Sequence, residues 1–406
     1  MGRPLAQLNL HRAFTDASTE NDYLARLTGP ETREAKRRKA RDEIRDTLRA
    51  GFADWQRFAD RRVLIETAAV RKGLTDPRLR PKFRMQGSAS PAYRTLNDPA
   101  HTSQQIDYDD GVYLPVSFLA ETGNPVIVAT GYYRLVETLL TQLCEKRGWS
   151  LDGKTKKCVR IVLDDHAHID LPLYAIPDQE FTRLAEDAAL AKMADRSIFL
   201  NSATLDDAVY ERLGEDELRL ALREGKWIKS DPRLLEEWFK QAVADFGPQV
   251  RRVSRYFKGW RDFVWIDDCT LTSIILMKCV VDAFDAFKAT VPDNRDDLAV
   301  LEVASRLDGY FAGDIRNPVL DLSLNSHWSP EDRISFRQKA VELHQRVRDA
   351  VRGTDSPAQA LATLAGAFGP RIPQTVALAS LTAEATVRSY QPTKLPARDV
   401  PRTTSG

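Results

Sequence analysis

The sequence predicts an α+β fold, a mixed sheet with its own helices followed by an all-helical lobe. Three observations predict it. Strand signals are confined to residues 83–177, the periodicity is helical almost throughout from about residue 205, and a long amphipathic helix precedes both. On this reading residues 1–60 are an N-terminal segment ending in the long spine helix, 61–190 the core carrying the sheet, 191–385 the helical lobe, and 386–406 a flexible tail.

Within residues 31–60, Ile44, Leu48, Phe52, Trp55 and Ala59 recur at steps of three or four and form one stripe of a helix. The opposing face carries Lys36, Arg37, Arg38, Lys39 and Arg41 with Asp42, Glu43 and Asp46, the pattern of a solvated face that can also meet an anion. Asp76-Pro77 and Arg80-Pro81 break regular structure. Gln105–Pro115 reads as a strand, and Tyr132–Arg147 as a helix with Leu135, Leu139, Leu140 and Leu143 on one side. Val159–Leu163 and Ile169–Ile176 flank Asp164-Asp165-His166-Ala167, which suits a hairpin.

Beyond the mixed region, Val250, Val253, Phe257, Trp260 and Val264 make an apolar stripe, and Thr270–Phe287 continues as another helix. Ser329-Pro330-Glu331-Asp332 opens a further one with a capping serine, a proline at the first position and acids in the first turn. Ser356-Pro357 repeats the signal. Tyr390–Gly406 has three prolines and little to bury.

Composition narrows the function classes. A formal net charge of +1 advertises no polyanion partner, so no nucleic acid is expected unless a local cluster provides for it. No apolar run approaches the roughly 20 residues that span a bilayer, and Met1–Leu10 lacks the pattern of a secretory signal. Cys144, Cys158, Cys269 and Cys279 are scattered, without the spacing of a zinc site or a disulfide framework. A cytoplasmic protein with no membrane contact is the expectation.

Three short stretches carry the chemistry. In Met85-Gln86-Gly87-Ser88, a Gly-Ser pair ending an extended segment lets backbone N–H groups and a hydroxyl approach a phosphate. In Gln105-Ile106-Asp107-Tyr108-Asp109-Asp110-Gly111, strand alternation puts Asp107 and Asp109 on one side and Ile106 and Tyr108 on the other. Two adjacent carboxylates repel, and a divalent cation with a triphosphate compensates them. In His168-Ile169-Asp170-Leu171, one acid sits in an apolar strand, so Asp170 needs a metal or a basic partner. His166 and His168 stand beside it as ligands, bases or ordinary edge residues. Three carboxylates holding two metals can activate a hydroxyl and neutralise a leaving pyrophosphate.

The order of these strings, QGS, then DYDDGVYLP, then HIDLPLYAIP, resembles the bacterial cGAS/DncV-like nucleotidyltransferases, in particular the cyclic GMP-AMP synthase branch. The similarity is tight over residues 83–117 and 159–177 and looser over the helical half. It implies a polymerase-β-like nucleotidyltransferase core and a helical lobe, bilobal with a central cleft. Gly87 and Ser88 would hold the donor triphosphate, with Gln86 near the nucleotide. Asp107, Asp109 and Asp170 would be catalytic and bind two Mg²⁺ ions, for which Mn²⁺ can substitute. In the lobe, Lys258 and Ser273 match phosphate-contacting residues, and Asn317-Pro318 matches a turn near the nucleotide.

The resemblance further implies condensation of ATP, GTP or other triphosphates into a purine cyclic dinucleotide such as cyclic GMP-AMP, with release of pyrophosphate. The product would activate an effector protein in anti-phage signalling of the CBASS type. An E1–E2-like enzyme would modify the tail at Gly406. No matched motif carries over the folate binding of the cyclic GMP-AMP branch. Three rivals are weighed against this reading. An RNA-end nucleotidyltransferase asks for a basic groove, which a near-neutral chain does not advertise. A small-molecule nucleotidyltransferase fits the string DDGVYLP poorly. A non-catalytic nucleotide sensor would not need all three acids and the Gly-Ser pair.

Overall fold

The computed structural model describes residues 8–71, 79–179, 181–183, 186, 218–266, 269–287 and 290–382. The expected tail, Gly406 included, lies outside the described residues.

An eight-stranded sheet runs in the order β4-β5-β6-β3-β7-β8-β9, with β2 paired to β3 off that path. Its strands are β2 (Lys82–Met85), β3 (Ile106–Val116), β4 (Ser150–Asp152), β5 (Val159–Asp164), β6 (Ala167–Leu171), β7 (Leu173–Pro177), β8 (Arg219–Ala221) and β9 (Trp227–Lys229). A two-stranded ladder joins β1 (Leu8–Asn9) to β10 (Ser380–Leu381). The long β3 is the axis of the sheet. Its first half pairs in parallel with β6 and its second half with β7. The expected single strand over Ile169–Ile176 is split at Pro172, which has no N–H to give the ladder. Its carbonyl still accepts from the Val112 N–H at 2.8 Å, so the register runs unbroken from Ile106↔Ala167 to Val116↔Pro177.

Two helices back the sheet, α1 (Glu31–Ala53) and α2 (Ala129–Arg147). Ile44, Leu48 and Phe52 of α1 are buried against Tyr108, Val112 and the α2 leucines. The helix expected over 31–60 ends at Ala53, and a 3-10 turn, Trp55–Arg57, keeps Trp55 in the same core. Asp60 then caps a new short helix.

The helical lobe comprises α3 (Pro232–Phe246), α4 (Gln249–Val264), α5 (Ser273–Phe287), α6 (Asp296–Ala312), α7 (Pro330–Arg352) and α8 (Pro357–Phe368). Ser329 and Asp332 close the reciprocal capping box that the sequence announced. One departure from the expected pattern stands out: strands β8 and β9 come from the stretch read as helical. Leu8, Phe14, Tyr23 and Leu27 of the N-terminal segment pack into the helical lobe. No helix among the described residues is long and apolar enough to cross a membrane.

A buried ion pair ties this lobe together. Asp296, fully buried, accepts from Arg252 Nε and Nη2 at 2.7 Å each and from the Tyr256 hydroxyl at 2.8 Å. Burial pushes its carboxyl up, but the bonds from Arg252 and His11 outweigh that and hold it at about 2, below the ordinary 3.8. Its contribution to stability is therefore present above pH 3.8 and is lost as pH falls through about 2. Asp296→Asn leaves Arg252 uncompensated and is expected to cost about 3–5 kcal/mol in urea unfolding at pH 7.

Candidate active site

Strand pairing assembles the acids. Asp109 is the register partner of Asp170, and Asp107 that of His168, on the parallel ladder between β3 and β6. Asp107 is exposed, Asp109 half-buried and Asp170 buried. Asp110 points the other way, to α1, where Arg45 Nε donates to it at 2.7 Å. Asp107 and Asp109 share the face away from α1, as the period of a strand requires.

One carboxylate oxygen each of Asp107 and Asp170 and a ring nitrogen of His168 lie within 4.8 Å of one another. This donor set fits a hard divalent cation, with carboxylates as its main ligands. His168 Nε2 is 3.1 Å from Asp107 Oδ1, and its Nδ1 is 2.9 Å from Gln105 Oε1. Burial, then the charges of Asp107 and Asp170, push the Asp109 carboxyl up to about 8. Such crowding is relieved by a cation.

Sequence reasoning missed Arg160. On β5, it is the register partner of Asp170 and forks onto it, Nε to Oδ1 and Nη2 to Oδ2, both at 2.7 Å. It supplies the basic partner that the lone buried acid demanded. The bidentate bond to Asp170 raises its own pKa.

The Gly87-Ser88 stretch follows β2. Gly87–Ala89 form a 3-10 turn, and Gly87 has φ +61°. A Cβ at Gly87 would collide with the Asp109 carboxylate, so only glycine lets the turn approach the acids. Gly87→Ala is expected to lower stability by about 1–2 kcal/mol through the backbone strain alone. Product formation should drop by at least about tenfold as Asp109 is displaced; thermal unfolding and a turnover assay check both.

Across the cleft, α4 delivers Lys258. Its ammonium donates to Ser88 Oγ and to the Thr95 carbonyl, each at 2.7 Å. Burial first, then Arg261, lowers its pKa to about 7. Ser273 stands at the start of α5, where its Oγ accepts from Arg261 Nη1 at 3.1 Å. Ser88, Asp107, Arg160, His168, Lys258 and Ser273 line one cavity of about 660 Å³ between the sheet and the helical lobe.

Several anticipated residues are not among those that line this cavity, Gly87, Asp109 and Asp170 included. Gln86 is buried and bonds the hydroxyls of Tyr113 and Tyr174 rather than lining the cavity. Asn317 holds its own turn, its Oδ1 accepting from the N–H groups of Val319 and Leu320 at 2.9 Å. His166 lies on the reverse side of the sheet.

Family comparisons cover both the sheet and the helical lobe. Residues 81–174 match the model of the cyclic GMP-AMP synthase DncV-like nucleotidyltransferase domain, and 247–380 that of the cyclic GMP-AMP synthase C-terminal domain. A cyclic GMP-AMP synthase of Vibrio cholerae is 31% identical over 306 residues, 72% of this chain and 68% of that protein. The chain belongs to the DncV-like nucleotidyltransferase family. Another relative, a cyclic GMP-AMP synthase of Escherichia coli, is 33% identical over 319 residues, 75% of this chain and 71% of that protein. The Vibrio cholerae di-nucleotide cyclase in complex with GTP and 5MTHFGLU2 superposes with a TM-score of 0.75 at 26% identity, over 93% of this chain and 100% of that one. The same organism's enzyme with the linear intermediate 5′ pppA(3′,5′)pG superposes at 0.73 and 25% identity, with the same coverage of both chains. The α+β core and helical lobe of this DncV-like nucleotidyltransferase are those of its family.

Proposed function

We propose that the chain condenses ATP and GTP into a purine cyclic dinucleotide such as cyclic GMP-AMP, releasing pyrophosphate as each bond forms. The observation that carries this reading is the alignment of Asp107, Asp109 and Asp170 on two neighbouring strands, with Asp107 sharing one cavity with Ser88 and Lys258. Its relatives are cyclic GMP-AMP synthases, one of them solved with a linear dinucleotide intermediate.

The donor triphosphate would lie on the Gly87-Ser88 turn, where the Ser88 hydroxyl and the Lys258 ammonium meet its oxygens. Ser273, steadied by Arg261, would take a second phosphate contact. Asp107, Asp109 and Asp170 would hold two Mg²⁺ ions, with Mn²⁺ able to substitute. When bound, these ions supply charge to the attacking hydroxyl oxygen and to the leaving pyrophosphate. Asp170 would orient the ribose hydroxyl for in-line attack and accept its proton. Arg160 must first turn its fork away from Asp170, and it then faces the incoming nucleotide. The same acids, held side by side on β3 and β6, would serve both bonds.

Family membership supports the wider setting: a cytoplasmic enzyme whose product reaches an effector protein in anti-phage signalling, with Gly406 as the point of attack for an E1–E2-like partner. The test is incubation with labelled ATP, GTP, CTP and UTP and Mg²⁺, omitting one nucleotide at a time. A phosphatase-resistant product that requires ATP and GTP is expected. Linear ladders, or product only with added RNA, would transfer the chain to the RNA-end enzymes.

A further inference from the structure

We propose that Gln104 is a positioning residue of the cleft: its amide docks the end of α4 onto the segment leading into β3. It thereby sets the span between Asp107 on the sheet and the phosphate contacts of the helical lobe. This deepens the nucleotidyl-transfer reading and rests on it.

Gln104 lines the cavity, yet its amide has nothing left to offer a ligand. Its Oε1 accepts from the Ala100 N–H at 3.0 Å and from the His101 N–H at 3.2 Å. Its Nε2 donates to the Asp262 carbonyl at 2.7 Å and to the Trp265 carbonyl at 3.0 Å. A carboxamide has two acceptor sites and two donor protons, so its capacity is filled. The partners also fix which end is oxygen, since two N–H groups face one end and two carbonyls the other.

The two halves of the amide serve different lobes. Asp262 and Trp265 stand at the C-terminal end of α4, where the last carbonyls have no partner within the helix. Ala100 and His101 belong to the segment that joins the Gly87-Ser88 turn to β3. Other bonds hold that segment along α4: Asn97 Nδ2 donates to the Arg255 carbonyl at 2.8 Å, and His101 Nε2 is 3.2 Å from the Phe263 carbonyl. Gln104 is the docking point nearest the chemistry. Asp107 follows it by three residues, and Asp262 adjoins Arg261, whose Nη1 donates to Ser273 Oγ at 3.1 Å. Asp107, Arg261 and Ser273 all line the same cavity.

Two variants of the full chain test this. Gln104→Glu keeps both acceptor bonds to the segment but sets a carboxylate against the Asp262 and Trp265 carbonyls. Hydrogen exchange of the amides from Asp262 to Trp265 should quicken at least about tenfold in it, while those of α2 stay unchanged. A role confined to the segment's own turn predicts wild-type exchange, and that result would overturn the proposal. Gln104→Leu adds no charge to the cleft. It should weaken a non-hydrolysable GTP analogue by about tenfold and leave Mn²⁺ affinity without nucleotide unchanged, because the acids sit on the sheet. Unaltered analogue binding, or equal loss of analogue and Mn²⁺, would also overturn it. A wild type that binds no analogue would count against the nucleotidyl-transfer reading, and the exchange comparison would still decide the docking role.

Discussion

Asp109→Asn is expected to abolish dinucleotide formation, slowing it by about a thousandfold or more, while leaving the fold intact or firmer. The two halves of this expectation have one cause. Asp109 sits between the Gly87 turn, Asp107 and Asp170, and burial with those two charges lifts its carboxyl to about 8. A carboxyl raised in the folded state binds more protons than the unfolded chain between pH 3.8 and about 8, so stability falls as pH rises through that window. Without a cation, the acid at pH 7 is mostly protonated, and asparagine imitates that form in size and hydrogen bonding. The variant should therefore unfold at the same temperature as the wild type or higher at pH 7–8, and lose the pH dependence. What asparagine cannot do is supply negative charge to Mg²⁺. Thermal unfolding from pH 5 to 8 beside a turnover assay separates the two effects. Equal loss of activity and stability would show that Asp109 is structural.

Lys258→Met carries the second large effect, a fall in kcat/KM of about a hundredfold. The ammonium bridges Ser88 Oγ and the Thr95 carbonyl at 2.7 Å each, which fixes the serine hydroxyl where the triphosphate would lie. Burial lowers its pKa to about 7 from 10.5, so the folded protein binds fewer protons than the unfolded chain between those values. The cost to stability is full below pH 7 and fades as pH rises toward 10.5. Methionine removes that cost, and the variant should be the more stable protein at pH 6.5. A bound triphosphate favours the charged lysine. At pH 8 the wild type should take up a proton at this site on binding GTP, and Lys258→Met should not. Calorimetry in two buffers of different ionisation enthalpy reads the difference between them.

How much of this was legible in the sequence follows from the range of the signals. Alternation along β3 is local, and it placed Asp107 and Asp109 on one side and Tyr108 in the core. The buried acid in β6 announced a need for a cation without naming it. Arg160 depends on the hairpin register, which no periodicity gives. Asp164 pairs with Ala167, but a bulge then shifts the ladder so that Arg160, rather than Ile161, faces Asp170. One extra residue decides which side chain meets the acid.

Strands β8 and β9 escaped for a related reason. At three residues each they are too short to show a period, and they exist because β7 offers an edge to β8 and β8 one to β9. Gln86 was placed near the nucleotide by resemblance. In the fold its amide meets Tyr113 and Tyr174 behind Gly111, where it braces the strand beside the Gly87-Ser88 turn. The end of α1 is set by tertiary packing, since Trp55 reaches the core from a 3-10 turn as well as from a helix.

The most direct measurement is a crystal soaked with Mn²⁺ and a non-hydrolysable GTP analogue, with the metal located by anomalous scattering. The account predicts manganese coordinated by Asp107, Asp109 and Asp170, the triphosphate on Gly87-Ser88 with Lys258 against it, and the Arg160 fork turned off Asp170. Manganese bound away from these acids, or a triphosphate bound while Arg160 keeps both oxygens of Asp170, would contradict it.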